Sequence, residues 1–277
     1  MSVFDTLGQL FSYAFLTRAL VVGLLISLCA SLLGVSLVLK RFSMIGDGLS
    51  HVGFGSLAVS TAFNWAPLAV SLPVVITAAF FLLRLSEKGK IKGDAAIALI
   101  SASALAIGIF IASMTTGMNT DINSFLFGSI LALTNEDVAL SVLLSTVVLL
   151  AFILFYNRIF AVTFDEAYAQ ATGIKVGHYN TILALLTALT IVLGMRMMGA
   201  LLISSLIIFP AMSSMWVCKR FSAVTICAAI IAVVCFFVGL FVSFTLRTPT
   251  GASIVLANLA VFIVFYLVSR LKRIARK

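Results

Sequence analysis

Nine long apolar segments run through the 277-residue sequence and limit its possible folds more than any other feature. Most of them contain close to the ~20 residues that a helix needs to cross ~30 Å of hydrocarbon. A backbone inside lipid must satisfy its own hydrogen bonds, which favours helices. We therefore predict an all-α polytopic membrane protein with eight or nine transmembrane helices in a single domain, residues 1–277. The segments are 17–39, 44–63, 66–83, 95–114, 138–157, 179–194, 200–217, 222–246 and 252–269.

The composition excludes an ordinary soluble domain. Hydrophobic residues make up 62% of the chain and charged residues 10%, whereas soluble domains carry about 25% charged residues. The net charge of +9 is explained by cationic loops facing anionic lipid, so no nucleic-acid partner is expected. A shorter apolar segment, 122–133, is predicted to form a re-entrant helix because it is too short to span the bilayer.

The distribution of basic residues predicts the orientation in the membrane. Fifteen of the 18 Lys and Arg residues fall at one end of the predicted spans, and this end is assigned to the cytoplasm. With nine spans, the N-terminus is outside and the C-terminus inside. The outer loops then carry Asp5, Asp121, Glu136 and Asp137, an acidic mouth suited to a cation. Asp121 is our candidate for a residue lining the outer vestibule.

Two absences in the sequence limit the possible chemistry. No G-x-x-x-x-G-K-[ST] motif occurs, so the chain is not expected to hydrolyse nucleotides through a P-loop. We therefore expect a transport protein rather than an enzyme, with no permanently bound cofactor. The four cysteines form no C-x-x-C pair and are interpreted as small apolar residues without disulfides.

An acid and a histidine interrupt the second apolar segment. Asp47 and His51 are four residues apart, so they share one face of a helix. Counted from the interface at Lys40 and Arg41, they lie roughly 9–10 Å and roughly 15 Å into the membrane. Ionisable groups at such depth mark a substrate path or a proton relay. A carboxylate with an imidazole can bind Zn, Mn or Fe(II), whereas the structural alternative is a hydrogen bond that joins two helices.

Two ligands are too few for a metal site, and a two-fold dimer with this helix on its axis would supply each ligand twice. Glycines flank the pair at Gly46, Gly48, Gly53 and Gly55. Glycine at this density either allows helices to approach closely or breaks the helix and exposes backbone carbonyls.

The cytoplasmic segment 164–174 is the second candidate site. Asp165 and Glu166 begin a short predicted helix and Gly173 ends it. The segment is either an ordinary capped loop helix or a docking helix for a cytoplasmic partner. Its predicted exposed face comprises Phe164, Ala167, Tyr168 and Ala171.

Four blocks of the sequence resemble the permease subunits of ATP-binding-cassette importers for zinc, manganese and iron. They occur in the family's order and spacing, and the resemblance covers essentially the whole chain. The blocks are LVLKRFSMIGDGLSHVGFGSLA (37–58), FDEAYAQATGI (164–174), LTIVLGMRMMGALLISSLIIFPAMSS (189–214) and RTPTGASIVL (247–256).

The resemblance implies a homodimer in the cell membrane of a prokaryote. It implies two cytoplasmic ATP-binding subunits and an extracytoplasmic metal-binding protein as partners. Asp47 and His51 match the family's intramembrane metal-contacting pair, and 164–174 matches its coupling helix. The rival hypothesis is a proton-driven secondary transporter that uses Asp47 and His51 as a relay, although no inverted repeat is seen. An intramembrane enzyme would need a nucleophile or a complete metal site.

Overall fold

Helices form almost all of the chain that the computed structural model describes, residues 14–88, 93–115 and 135–274. No strand occurs in these three ranges, which confirms the predicted all-α class. The helices are α1 (Ala14–Leu39), α2 (Ile45–Ala62), α3 (Pro67–Lys88), α4 (Gly93–Met114), α5 (Asn135–Phe164), α6 (Glu166–Ala171), α7 (Val176–Met198), α8 (Ala200–Val217), α9 (Phe221–Leu246) and α10 (Thr250–Ile274).

Within the described ranges, seven helices are long and apolar enough to cross a membrane, fewer than the eight or nine predicted. The two that differ are α2 and α3. Four glycines and three serines lower the hydropathy of α2, and the continuous apolar part of α3 is only Pro67–Leu82. The segment 122–133, predicted to be re-entrant, and Asp121 lie outside the described residues.

The reason for the polar character of α2 is its position inside the bundle. Thirteen of its 18 residues are buried by neighbouring helices. Because α2 contacts protein more than lipid, its surface does not have to be uniformly apolar. Sequence hydropathy therefore underestimates how deeply this helix is embedded.

The bundle has a buried centre and a peripheral shell. The apolar windows of α1 and α7 are 67% and 72% buried, whereas those of α4 and α10 are each 22% buried. Ile26 and Leu33 of α1 pack in one apolar core with Ile191 of α7 and Ile203 of α8. The exposed apolar surface of the outer helices is therefore available to lipid.

Two ion pairs lie at opposite ends of α5. Glu166, just beyond its last residue, pairs with Lys40 at 2.6 Å, and Asp137 in its first turn pairs with Arg196 at 2.8 Å. The basic-residue distribution assigns the Lys40 end to the cytoplasm. All four cysteines are free, as predicted.

Candidate functional site

Close contacts at two of its glycines position α2 in the bundle. Its neighbour α4 approaches so closely that a Cβ on Gly55 would lie 2.7 Å from the Ala104 carbonyl oxygen. A Cβ on Gly48 would lie 2.6 Å from Cγ2 of Ile97. Glycine is therefore needed for this packing, as the glycine density of the motif predicts.

Asp47 and His51 form a stripe one helical turn long that the neighbours of α2 leave partly uncovered. Their side chains are 37% and 20% exposed, whereas the residues that follow, 52–58, are all buried. Asp47 lies in the first turn of α2, where the helix dipole favours a carboxylate. The pair therefore points toward space that another molecule can occupy.

The geometry of the pair brings two potential ligand atoms next to each other. His51 Nε2 lies 3.5 Å from Asp47 Oδ2. His51 Nδ1 is buried and has no hydrogen-bond partner among the described residues. A carboxylate and an imidazole nitrogen suit Mn, Fe or Zn. Among those residues, however, no group of three or more His, Cys, Asp or Glu side chains comes together. One copy of the chain thus presents part of a ligand set.

The second candidate segment forms α6, and its ends are fixed by local hydrogen bonds. Asp165 Oδ1 accepts a hydrogen bond from the Tyr168 backbone N–H at 2.9 Å, as an N-cap does. Beyond the helix, Gly173 has φ +81°. The Ile174 N–H donates to the Ala169 carbonyl at 2.9 Å, which completes a Schellman motif. The predicted start and end of this helix are both found.

One face of α6 is exposed and another is anchored. Ala169 is fully buried and packs with Val162 and Val176. The side chains on the predicted docking face are all exposed, and two of them are large aromatic rings that are 60% and 65% exposed. They are Phe164, Ala167, Tyr168 and Ala171.

A polar cluster that sequence reasoning missed connects α6 to α1. Lys40 Nζ donates to Glu166 Oε1 at 2.6 Å, to Asn180 Oδ1 at 2.8 Å and to the Val162 carbonyl at 3.2 Å. We call Lys40, Val162, Glu166 and Asn180 the Lys40 cluster. From the sequence, Lys40 indicated only the orientation of the chain in the membrane. No local pattern of residues links Lys40 to Glu166, which lies 126 positions away.

The Lys40 cluster also lowers the pKa of the Glu166 carboxyl group. Burial by itself would raise the pKa of this carboxyl group. The hydrogen bond and the positive charge of the Lys40 ammonium, together with the hydrogen bond from Asn180, outweigh the effect of burial. The pKa of Glu166 therefore lies below its ordinary value. Glu166 is therefore ionised at neutral pH, and the ion pair with Lys40 is present.

Comparisons with known proteins agree over nearly the full length. The model of the ABC 3 transport family matches residues 12–269. An uncharacterized membrane protein from the ycf23-apcF intergenic region of Cyanophora paradoxa is 30% identical, over 93% of this chain and 87% of the relative. The manganese import system permease protein ScaB of Streptococcus gordonii is 28% identical, over 97% of this chain and 96% of ScaB.

A solved structure has the same fold. PsaBC from Streptococcus pneumoniae, in complex with Fab, contains a chain that superimposes with a TM-score of 0.85 at 26% identity. The superposition covers 96% of this chain and 95% of the other.

Proposed function

The chain belongs to the ABC 3 transport family, and on that premise we propose that it is the permease of an ATP-driven importer of a divalent transition metal. The seven long apolar helices found within the described ranges make it a multi-pass membrane protein. The manganese import permease ScaB, similar over nearly its whole length, supports manganese as the cargo, with iron and zinc as chemically related candidates.

The observation that carries this proposal is the position of Asp47 and His51. A carboxylate and an imidazole, with Nε2 and Oδ2 3.5 Å apart, lie on the uncovered stripe of an otherwise buried helix. A second copy of the chain, related by a two-fold axis along this stripe, would bring together two carboxylates and two imidazoles. Four such ligands are a complete set for a transition metal.

In this proposal the cargo ion passes between the two copies. An extracytoplasmic metal-binding protein delivers the ion to the outer face. The Asp47 and His51 side chains of both copies replace part of its hydration shell. Binding at such a site must be weak enough for release, because conduction requires that the ion also leave.

Energy for transport comes from a separate protein in this proposal. Two cytoplasmic ATP-binding subunits dock on the two copies of α6. The exposed rings of Phe164 and Tyr168 support this role, since aromatic side chains are enriched at the centres of interfaces.

Uptake of Mn²⁺ into vesicles tests the proposal, with the permease, its ATPase and its binding protein reconstituted together. We expect Asp47→Asn and His51→Ala each to reduce uptake to the background at matched protein levels, because each removes a ligand. Val59→Ala is the control, since Val59 lies on the same helix and is also partly exposed but has no ligand atom. Uptake near the wild-type rate in both ligand variants would contradict the metal site. Uptake that needs a proton gradient but no ATPase would favour the proton-driven alternative.

A further inference from the structure

We infer that Lys40 is a positioning residue through which displacement of α6 reaches the metal-bearing helix α2. The inference rests on the proposed function, since it assumes that α6 receives an ATPase. It goes beyond that function by naming the connection between the ATPase side and the ion path. The Lys40 cluster and the turn that follows Lys40 carry the inference.

The first observation is that Lys40 is buried and uses all three of its donors. Its side chain is only 6% exposed. The acceptors belong to three elements: the Val162 carbonyl to α5, the Glu166 carboxylate to α6 and the Asn180 amide to α7. Asn180 also donates to Glu166 Oε1 at 3.3 Å. Charge-assisted bonds of this kind are the strongest hydrogen bonds in proteins.

The second observation is where these bonds lead. The apolar contacts of α6 are made by Ala169, which packs against Val162 of α5 and Val176 of α7. The bond from Glu166 to Lys40, in contrast, crosses to α1. Lys40 therefore connects α6 to a helix that the apolar contacts of Ala169 do not reach.

The third observation is the stiffness of the chain between Lys40 and α2. The Phe42 N–H donates to the Leu37 carbonyl at 2.8 Å, and the Arg41 N–H donates to the Val38 carbonyl at 3.1 Å. Arg41 holds φ +63°, a left-handed conformation that costs a non-glycine residue free energy.

The turn is short as well as stiff. Only residues 41–44 separate Lys40 from the start of α2, and Asp47 lies in the first turn of that helix. A displacement of Lys40 is therefore passed on to Asp47 instead of being absorbed by a loose loop.

The other end of the molecule provides a matched ion pair. Arg196 Nη1 lies 2.8 Å from Asp137 Oδ1, and the two side chains are 32% and 11% exposed. This pair joins the first turn of α5 to the last turn of α7, far along the chain from both α6 and Lys40. Breaking it removes a comparable bond without touching the connection between α6 and α2.

The test compares Lys40→Met with Arg196→Met in vesicles that contain the permease, its ATPase and its binding protein. Three quantities are measured: co-purification of the ATPase, ATP hydrolysis, and Mn²⁺ uptake per ATP hydrolysed. We expect Lys40→Met to assemble and hydrolyse ATP, but to import about tenfold less Mn²⁺ per ATP, a loss within the usual range of coupling between sites. Arg196→Met should keep the wild-type ratio.

Glu166→Gln provides a second, milder variant in case Lys40→Met does not fold. Gln keeps an acceptor oxygen but loses the charge, so its Mn²⁺ uptake per ATP should fall between the wild type and Lys40→Met. A wild-type ratio in whichever of these variants assembles would overturn the inference, because Lys40 would then only stabilise the fold. Absence of ATP-driven uptake of Mn²⁺, Fe²⁺ and Zn²⁺ by the wild type would instead refute the proposed function.

Discussion

The two candidate functional helices, α2 and α6, hold their side chains in place by opposite means. Thirteen of the 18 residues of α2 are buried, whereas Asp47 and His51 stay partly open. In α6, by contrast, Ala169 is the one buried residue and the opposite face is exposed. Close helix packing fixes α2, whereas caps and the Lys40 cluster fix α6. A helix inside a membrane bundle thus depends on the surrounding backbone for its position, and a short exposed helix depends on its own ends.

The largest effect is expected from a charge on the exposed face of α6. Ala171→Glu would leave a carboxylate buried against the proposed ATPase, and such a charge costs about 2–5 kcal/mol of binding free energy. Gln170→Glu is the control, because it adds the same charge to the same helix outside the docking face. Co-purification of the ATPase with each variant measures the difference. Equal retention of the ATPase by both variants would contradict docking on this face.

A methyl group at Gly55 tests the close packing of α2. In Gly55→Ala the new Cβ would meet the Ala104 carbonyl oxygen, a backbone atom that cannot rotate away. We expect a loss of about 3 kcal/mol in unfolding free energy, the upper part of the range for overpacking. Thermal unfolding in detergent measures it.

The control for Gly55 lies on the same helix. In Gly46→Ala the new Cβ would lie 2.9 Å from Cδ1 of Ile207, the mobile end of a side chain. That contact can relax, so the loss should be smaller. A Gly46→Ala variant that is less stable than Gly55→Ala would show that backbone contact does not determine the position of α2.

The smallest effect is expected at the end of α6. A Cβ on Gly173 meets no atom within 4 Å, but φ +81° is unfavourable for alanine, at a cost of about 1 kcal/mol. Gly173→Ala should therefore speed hydrogen exchange of the α6 amides about fivefold. Gly177→Ala is the matched control, since a Cβ on Gly177 would also meet no atom within 4 Å and Gly177 has no positive φ. Equal exchange in both variants would show that the Gly173 turn does not hold α6.

Local signals in the sequence predicted much of both regions. The i and i+4 spacing placed Asp47 and His51 on one helix face, and they lie side by side. Asp165 and Gly173 predicted the ends of α6, because capping depends on residues within one turn of the helix end. The roles of these residues in ion binding and docking stay predictions.

The number of spans was predicted less well than the helices themselves, and α2 shows why. Mean hydropathy indicates how well a segment tolerates contact with lipid. Because α2 packs against protein instead, its glycines and serines are compatible with a buried position. The sequence by itself could establish that the region 44–63 is helical, and not which neighbours surround it.

The amino-acid sequence alone determined the all-α class, the direction of the charge gradient and the two candidate segments. Each depends on composition or on residues a few positions apart, where helix period and capping act. The tertiary structure alone decided that Lys40 bonds to Glu166 and Asn180, residues 126 and 140 positions away. It also decided that Asp47 and His51 stay partly open while residues 52–58 of α2 are covered. Those outcomes depend on how whole helices pack, and no local pattern of residues encodes that arrangement.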